Sequence, residues 1–234
     1  MVLRDEMMFL FKQVLDGQQP VTLINTYRGF PISYPASLMA VDQGYVAMTV
    51  HEYQAVAIAL EGKTYMQSSM LPEVIQGTAV GVDVARKRVA VTELKGVGQS
   101  VGRRSSIRVQ PSAPIDVEIY DERRRIAGKI ADISTRGVGV FTFAAYIYGD
   151  QAFEKDKEVY IDFRLPNADT ILHFQGVIAI ISAQKATFMH RLGMKIFPTS
   201  EVEPLLQEYI DQRKNETMLE LKLVYESMSR QKAE

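Results

Sequence analysis

Ile115-Asp-Val-Glu-Ile-Tyr120 and Ile126-Ala-Gly-Lys-Ile-Ala-Asp-Ile133 both alternate apolar and polar residues, and Asp121-Glu-Arg-Arg-Arg125 lies between them. A period of two places alternate side chains on opposite faces of an extended strand. The pair therefore reads as a β-hairpin with one face buried. Further strand-length runs follow at 137–143, 158–165, 171–181 and 188–196. Together they predict a six-stranded antiparallel barrel over 109–199, burying one face of each strand.

Upstream, short apolar runs at 21–24, 44–50, 55–60, 63–67, 78–82 and 88–92 are separated by Gly, Asp, Asn or Pro. They read as strands of a second small barrel within 1–95. Leu3, Met7, Leu10, Phe11 and Leu15 recur at helical spacing, which predicts a short helix over 3–16 stopped at Gly17. Gly96-Val-Gly-Gln-Ser-Val-Gly102 opens a Gly- and Arg-rich linker at 96–108. Beyond Pro198 the pattern turns helical over 200–234. Ser200 and Glu203 fit a capping box, and Val202, Leu205, Leu206, Tyr209 and Ile210 form an apolar stripe. From Asn215 onward, charges alternate with Leu and Met, a pattern suited to a homodimer or partner helix. The fold class is thus mainly β: two small barrels in tandem, with an N-terminal helix and a long C-terminal one.

Composition narrows the chemistry. The 234 residues include no cysteine, which removes disulfides and thiolate metal sites. The net charge is -1, so an anion site has to be a local cluster, not a property of the whole surface. No apolar stretch of about 18 residues is present, and the acidic N-terminus is unlike a secretory signal, so a cytoplasmic location is expected. His51, His173 and His190 are the only histidines, and their spacing matches no zinc-hydrolase motif. No G-x-S-x-G elbow or Walker loop occurs, and Gly96, Gly98 and Gly102 lack the strand-to-helix context of a phosphate loop. No catalysis, metal or cofactor is expected.

Two segments carry recognition chemistry. Arg103, Arg104 and Arg108 form the densest cationic cluster, joined in sequence by Arg123, Arg124, Arg125 and Arg136. A guanidinium donates paired hydrogen bonds to phosphate or to the O6 and N7 edge of guanine, and stacks on bases. Arg123–Arg125 read as solvated charge in a hairpin turn. In Asp132-Ile-Ser-Thr-Arg-Gly137, Asp132 and Ser134 share one side of a strand before the chain turns at Gly137. A carboxylate and a hydroxyl there suit the N1 and N2 protons of guanine; an ordinary Asx- or Ser-stabilised turn has the same pattern.

Arg104-Ser-Ser-Ile-Arg108, followed 24 residues later by Asp132-Ile-Ser134-Thr-Arg-Gly137, resembles the R-x-x-x-R and [D/N]-x-S-x-x-G signature of PilZ domains. His190-Arg-Leu-Gly-Met-Lys-Ile196 is similar to the last strand of such domains. The resemblance implies a cyclic di-GMP (c-di-GMP) receptor, with Arg104 and Arg108 on phosphate and guanine edges. Asp132 and Ser134 would hold a guanine, Gly137 would allow close approach, and Arg103 would serve a second, intercalated ligand molecule. Arg136 and Gly139 are further candidates. A strand-rich block ahead of such a domain resembles the YcgR-like flagellar-brake architecture, a split barrel whose linker holds the ligand-binding arginines. Lys63-Thr-Tyr-Met-Gln-Ser-Ser69 looks like a segment of it. That architecture implies ligand-driven interdomain rearrangement, a protein partner such as a flagellar motor or chemotaxis component, and control of motility or biofilm behaviour. The alternative is a PilZ-like adaptor that binds no nucleotide. A nucleic-acid partner is not expected, because no aromatic residue interleaves with Arg103–Arg108 to stack bases.

Overall fold

The computed structural model describes residues 4–42, 44–98, 106–143, 153–166, 168–183 and 188–230. Contacts group the chain into two compact units, Met1–Tyr27 with Pro31–Ser105 and Thr217–Glu234, and Arg28–Phe30 with Ser106–Glu216.

The first unit contains helix α1 (Arg4–Asp16), strands β1 (Val21–Tyr27), β2 (Phe30–Asp42) and β3 (Tyr45–Thr49), helix α2 (Glu52–Glu61), and strands β4 (Lys63–Gln67), β5 (Ile75–Asp83) and β6 (Arg88–Gly96). Its strands close a barrel in the order β1-β2-β3-β6-β5-β4. Val21, Leu23, Ile32, Val46, Met48, Met66, Ile75 and Val91 are buried in it. Burying a side chain of this size contributes about 1.5–3 kcal/mol. Helix α1 adds Met7, Phe11 and Val14 to the buried set. It ends before Gly17, but the left-handed residue is Gln18 (φ 49).

Two elements depart from the pattern reading. The run 55–60, expected as a strand, is the body of α2. His51 caps it, its Nδ1 accepting the Tyr53 N–H at 3.2 Å, and Gly62 (φ 67) ends it in the left-handed conformation. Ala55, Val56, Ala57 and Ile58 are all buried, so no polar face marks the helical period. Strand β2 carries Pro31 and Pro35, which argue against a strand by pattern. Both precede Ser37–Asp42, the part that pairs with β3.

The second unit contains β7 (Asp116–Tyr120), β8 (Arg125–Ser134), β9 (Gly137–Phe143), β10 (Glu158–Phe163), β11 (Leu172–Ala183) and β12 (Met189–Phe197). They close a barrel in the order β10-β11-β12-β9-β8-β7. Val117, Ile119, Ile133, Val140, Ile161, Phe174, Ile178, Leu192 and Ile196 fill it. Helix α3 (Val202–Arg230) has Glu216 in this unit and Thr217 in the other. Its first turn is held by the Thr199 carbonyl, which accepts from Val202 and Glu203. Glu203, expected in a capping box with Ser200, directs its carboxylate to Arg136 at 3.0 Å. The expected linker begins on an ordered element: Gly96 ends β6, and the Glu73 carboxylate accepts the Gly98 N–H at 2.9 Å.

Candidate ligand-binding site

A bulge sets the geometry of the site. In β8, Ile130 pairs with Val140 but Asp132 pairs with Gly139, so Ala131 is an extra residue. Strict alternation would put Asp132 on the core face with Ile126 and Ile130. The extra residue reverses the parity. Ile133 therefore enters the core, and Asp132 and Ser134 share the opposite face.

The segment bearing Arg108 runs beside this strand. Val109 and Ile133 exchange two backbone hydrogen bonds of 2.9 Å each. The next residue is held as well, since the Gln110 carbonyl accepts from Arg213 Nε at 3.1 Å. Arg108 is thereby placed next to Asp132, with Nη1 3.3 Å from Oδ1. Arg191 of β12 pairs with the other oxygen, Oδ2. Asp132 is only 8% exposed, so a shielded carboxylate lies between two guanidinium groups. Such a carboxylate strongly favours charged or multiply donating partners. Ser134, 1% exposed, donates to the Gly137 carbonyl at 3.1 Å, which leaves its lone pairs as acceptors.

Gly137 has a role different from the one expected. The turn is made by Thr135 and Arg136, and Gly137 is the first residue of β9 without a positive φ. A side chain is disfavoured there because a Cβ would crowd the Met194 carbonyl oxygen at 3.0 Å. Gly139 lies under the ion pair, where a Cβ would come within 2.9 Å of both Arg191 Nη2 and Asp132 Oδ2. Arg136 turns toward Glu203 on α3 and away from this group. Arg103 and Arg104 lie outside the described residues. The structure thus brings Arg108, Asp132, Ser134, Gly137 and Gly139 together.

Arg191 is the residue that motif reading misses. It stands in the quoted run 190–196, but nothing in its spacing links it to Asp132, 59 positions away. Only the β8-β9-β12 order does so.

The arginines of the other hairpin turn are engaged elsewhere. Asp121 Oδ1 accepts the N–H groups of Arg123 and Arg124 at 2.9 and 3.0 Å. A hydrogen bond from Lys157 and those two N–H groups, against the opposing effect of burial, hold the Asp121 pKa down to about 2. Arg124 lies over the Phe153 ring, 3.9 Å from its centroid, and Arg125 pairs with Glu118 at 2.9 Å. Among the described residues no three His, Asp or Glu side chains gather as metal ligands. His173 faces Asp162 at 2.8 Å on the barrel exterior, and His190 is buried in β12. No described helix is long and apolar enough to cross a membrane.

Residues 102–212 match the PilZ domain family. An uncharacterized protein of Aquifex aeolicus (strain VF5) is 26% identical over 162 residues, 68% of this chain and 71% of the relative. Among solved structures, YcgR of Escherichia coli in complex with c-di-GMP is 13% identical, with a TM-score of 0.47 over 95% of this chain and 96% of that one. The Bacillus subtilis inhibitor of motility MotI/DgrA is 12% identical, with a TM-score of 0.43 over 85% of this chain and 97% of that one. The family match spans the second barrel, the Arg108–Asp132 pair and the start of α3, so the similarity to PilZ domains covers the whole of the candidate site.

Proposed function

We propose that this protein is a c-di-GMP receptor that acts by binding and not by catalysis. The observation that carries the reading is the shielded Asp132 carboxylate, turned off the core face by the β8 bulge and set beside Arg108 within the PilZ segment. A guanine offers N1–H and N2–H to Asp132 and Ser134, and its O6 and N7 to arginine. The phosphates take the remaining guanidinium groups of Arg103, Arg104 and Arg108. Arg103, standing before the R-x-x-x-R motif, suits a second stacked ligand molecule.

The arginine segment joins β6 to β7 in the chain, so ligand binding acts on the connection between the two barrels. Binding that favours one arrangement of that connection shifts the population toward it. The output is then interaction with a protein partner, with a flagellar motor or chemotaxis component as the leading class. Motility or biofilm behaviour is the process under control.

Calorimetric titration of the purified chain with c-di-GMP, and with GTP and c-di-AMP as controls, tests the reading. Saturable binding of c-di-GMP alone, near two molecules per chain and lost in Arg104→Ala and Asp132→Ala, is the expected result. Equal binding of all three nucleotides, or unchanged affinity in both variants, would overturn it.

A further inference from the structure

Asp132 has both carboxylate oxygens engaged by the protein itself: Arg108 on Oδ1 and Arg191 on Oδ2. Arg191 belongs to neither signature motif. It stands on β12 opposite Phe141 of β9, whereas Asp132 stands on β8 opposite Gly139. Its side chain therefore reaches diagonally across β9, and it crosses at Gly139. A Cβ at 139 would lie 2.9 Å from Arg191 Nη2, so the missing side chain forms the trench that the guanidinium occupies.

The floor extends further than Arg191 requires. Gly139 is in register with Gly193 of β12. Among the described residues a Cβ at Gly193 would meet only the Ile180 Cβ at 3.5 Å, an ordinary contact, and its φ is not positive. Neither packing among the described residues nor backbone conformation demands glycine there. Two adjacent side-chain-free positions on strands about 4.8 Å apart make a flat floor beside Asp132. Such a floor accepts a planar ring.

Guanidinium and guanine present the same donors to a carboxylate: coplanar N–H groups pointing one way. We propose that Arg191 is an internal stand-in for the guanine of the ligand, occupying Asp132 Oδ2 and the Gly139 trench until the base displaces it. This rests on the reading of the site as a c-di-GMP site and adds a residue that sets its affinity. Only molecules whose trench is open can bind, so the observed affinity is the intrinsic one reduced by the open fraction. The closing contact stabilises the ligand-free protein alone. Removing it therefore tightens every ligand that uses the trench by one common factor. A residue touching the bound base would instead change ligands unequally.

The experiment titrates wild type and Arg191→Lys with c-di-GMP and with its hypoxanthine analogue, which lacks the N2 amine. Lysine keeps the charge but loses the flat paired donors. The expected result is tightening of both ligands by the same factor, roughly three- to tenfold. Weaker or unchanged binding in Arg191→Lys, or unequal factors for the two ligands, would overturn the proposal. Arg191→Gln provides the same comparison should the lysine variant fold poorly. Wild type that binds neither ligand defeats the c-di-GMP reading and this proposal with it. Wild type that binds, with variants no tighter, defeats the proposal alone.

Discussion

Asp132 shows how much a single side chain gains from its surroundings. The residue is legible in sequence as part of Asp-x-Ser-x-x-Gly, and so is Arg108 as the end of R-x-x-x-R. What is not legible is the second arginine on the same carboxylate, because Arg191 arrives from another strand through barrel order. Nor does spacing explain the glycines: Gly137 is set by the Met194 carbonyl and Gly139 by the Arg191–Asp132 pair. A second residue of this kind is Asn25, 1% exposed in the first barrel. Its Nδ2 donates to Glu61 at 2.8 Å and to the Lys63 carbonyl at 2.7 Å. Its Oδ1 accepts from Gln54 and Thr64, both at 2.7 Å. Asn25→Leu keeps the branched shape but strands two buried donors and removes the donors to Glu61 and Lys63. Urea denaturation is expected to show a loss of about 2–4 kcal/mol, since each unsatisfied buried group costs about 1–3. A loss below about 0.5 kcal/mol would mean that the network contributes little to stability.

Helix α2 is the element where local propensity and periodicity disagree. Its alternation of alanine with larger apolar residues satisfies a period of two, yet alanine is the strongest helix former and Gly62 supplies the stop. With Gln54–Ile58 buried through more than a full turn, the helix shows no amphipathic stripe that would have revealed it. Its N-cap is a histidine whose ring stacks on Tyr34 with centroids 3.8 Å apart. Burial, against the opposing pull of Glu52, lowers the His51 pKa below the ordinary histidine range, and Lys87 adds to the lowering. The neutral ring is also the form whose Nδ1 accepts the Tyr53 N–H. A group with its folded pKa lowered contributes stability above its unfolded value, and that stability is lost as pH falls through the window below about 6.5. Stability measured by urea is therefore expected to drop between pH 7.5 and 5.5 more in wild type than in His51→Asn. Asparagine caps without titrating. Parallel pH profiles for the two proteins would remove His51 as the cause.

At the scale of the whole molecule, each barrel closes on its own buried core, and the site described here belongs to the second. A ligand bound only by the folded form stabilises it by RT ln(1 + [L]/Kd), about 2.7 kcal/mol at a hundredfold excess over Kd. c-di-GMP is therefore expected to raise the thermal midpoint of the PilZ barrel and to slow amide exchange in β8 and β9, with no protection gained in β1 and β4. Exchange slowed equally in all four strands would place the ligand elsewhere. The amino-acid sequence alone determined that the chain is mainly β with two strand-rich blocks and terminal helices, because period-two alternation and turn residues are local signals. It also determined the identity of Arg108, Asp132 and Ser134 as a candidate set, because each lies in a short local motif, R-x-x-x-R or Asp-x-Ser-x-x-Gly. Only the tertiary structure decided that 55–60 is a helix, that the proline-bearing β2 completes the first barrel, and that Arg191 shares Asp132. Each of those depends on burial or strand order, which arise from contacts between residues distant in the chain and leave no local period to read.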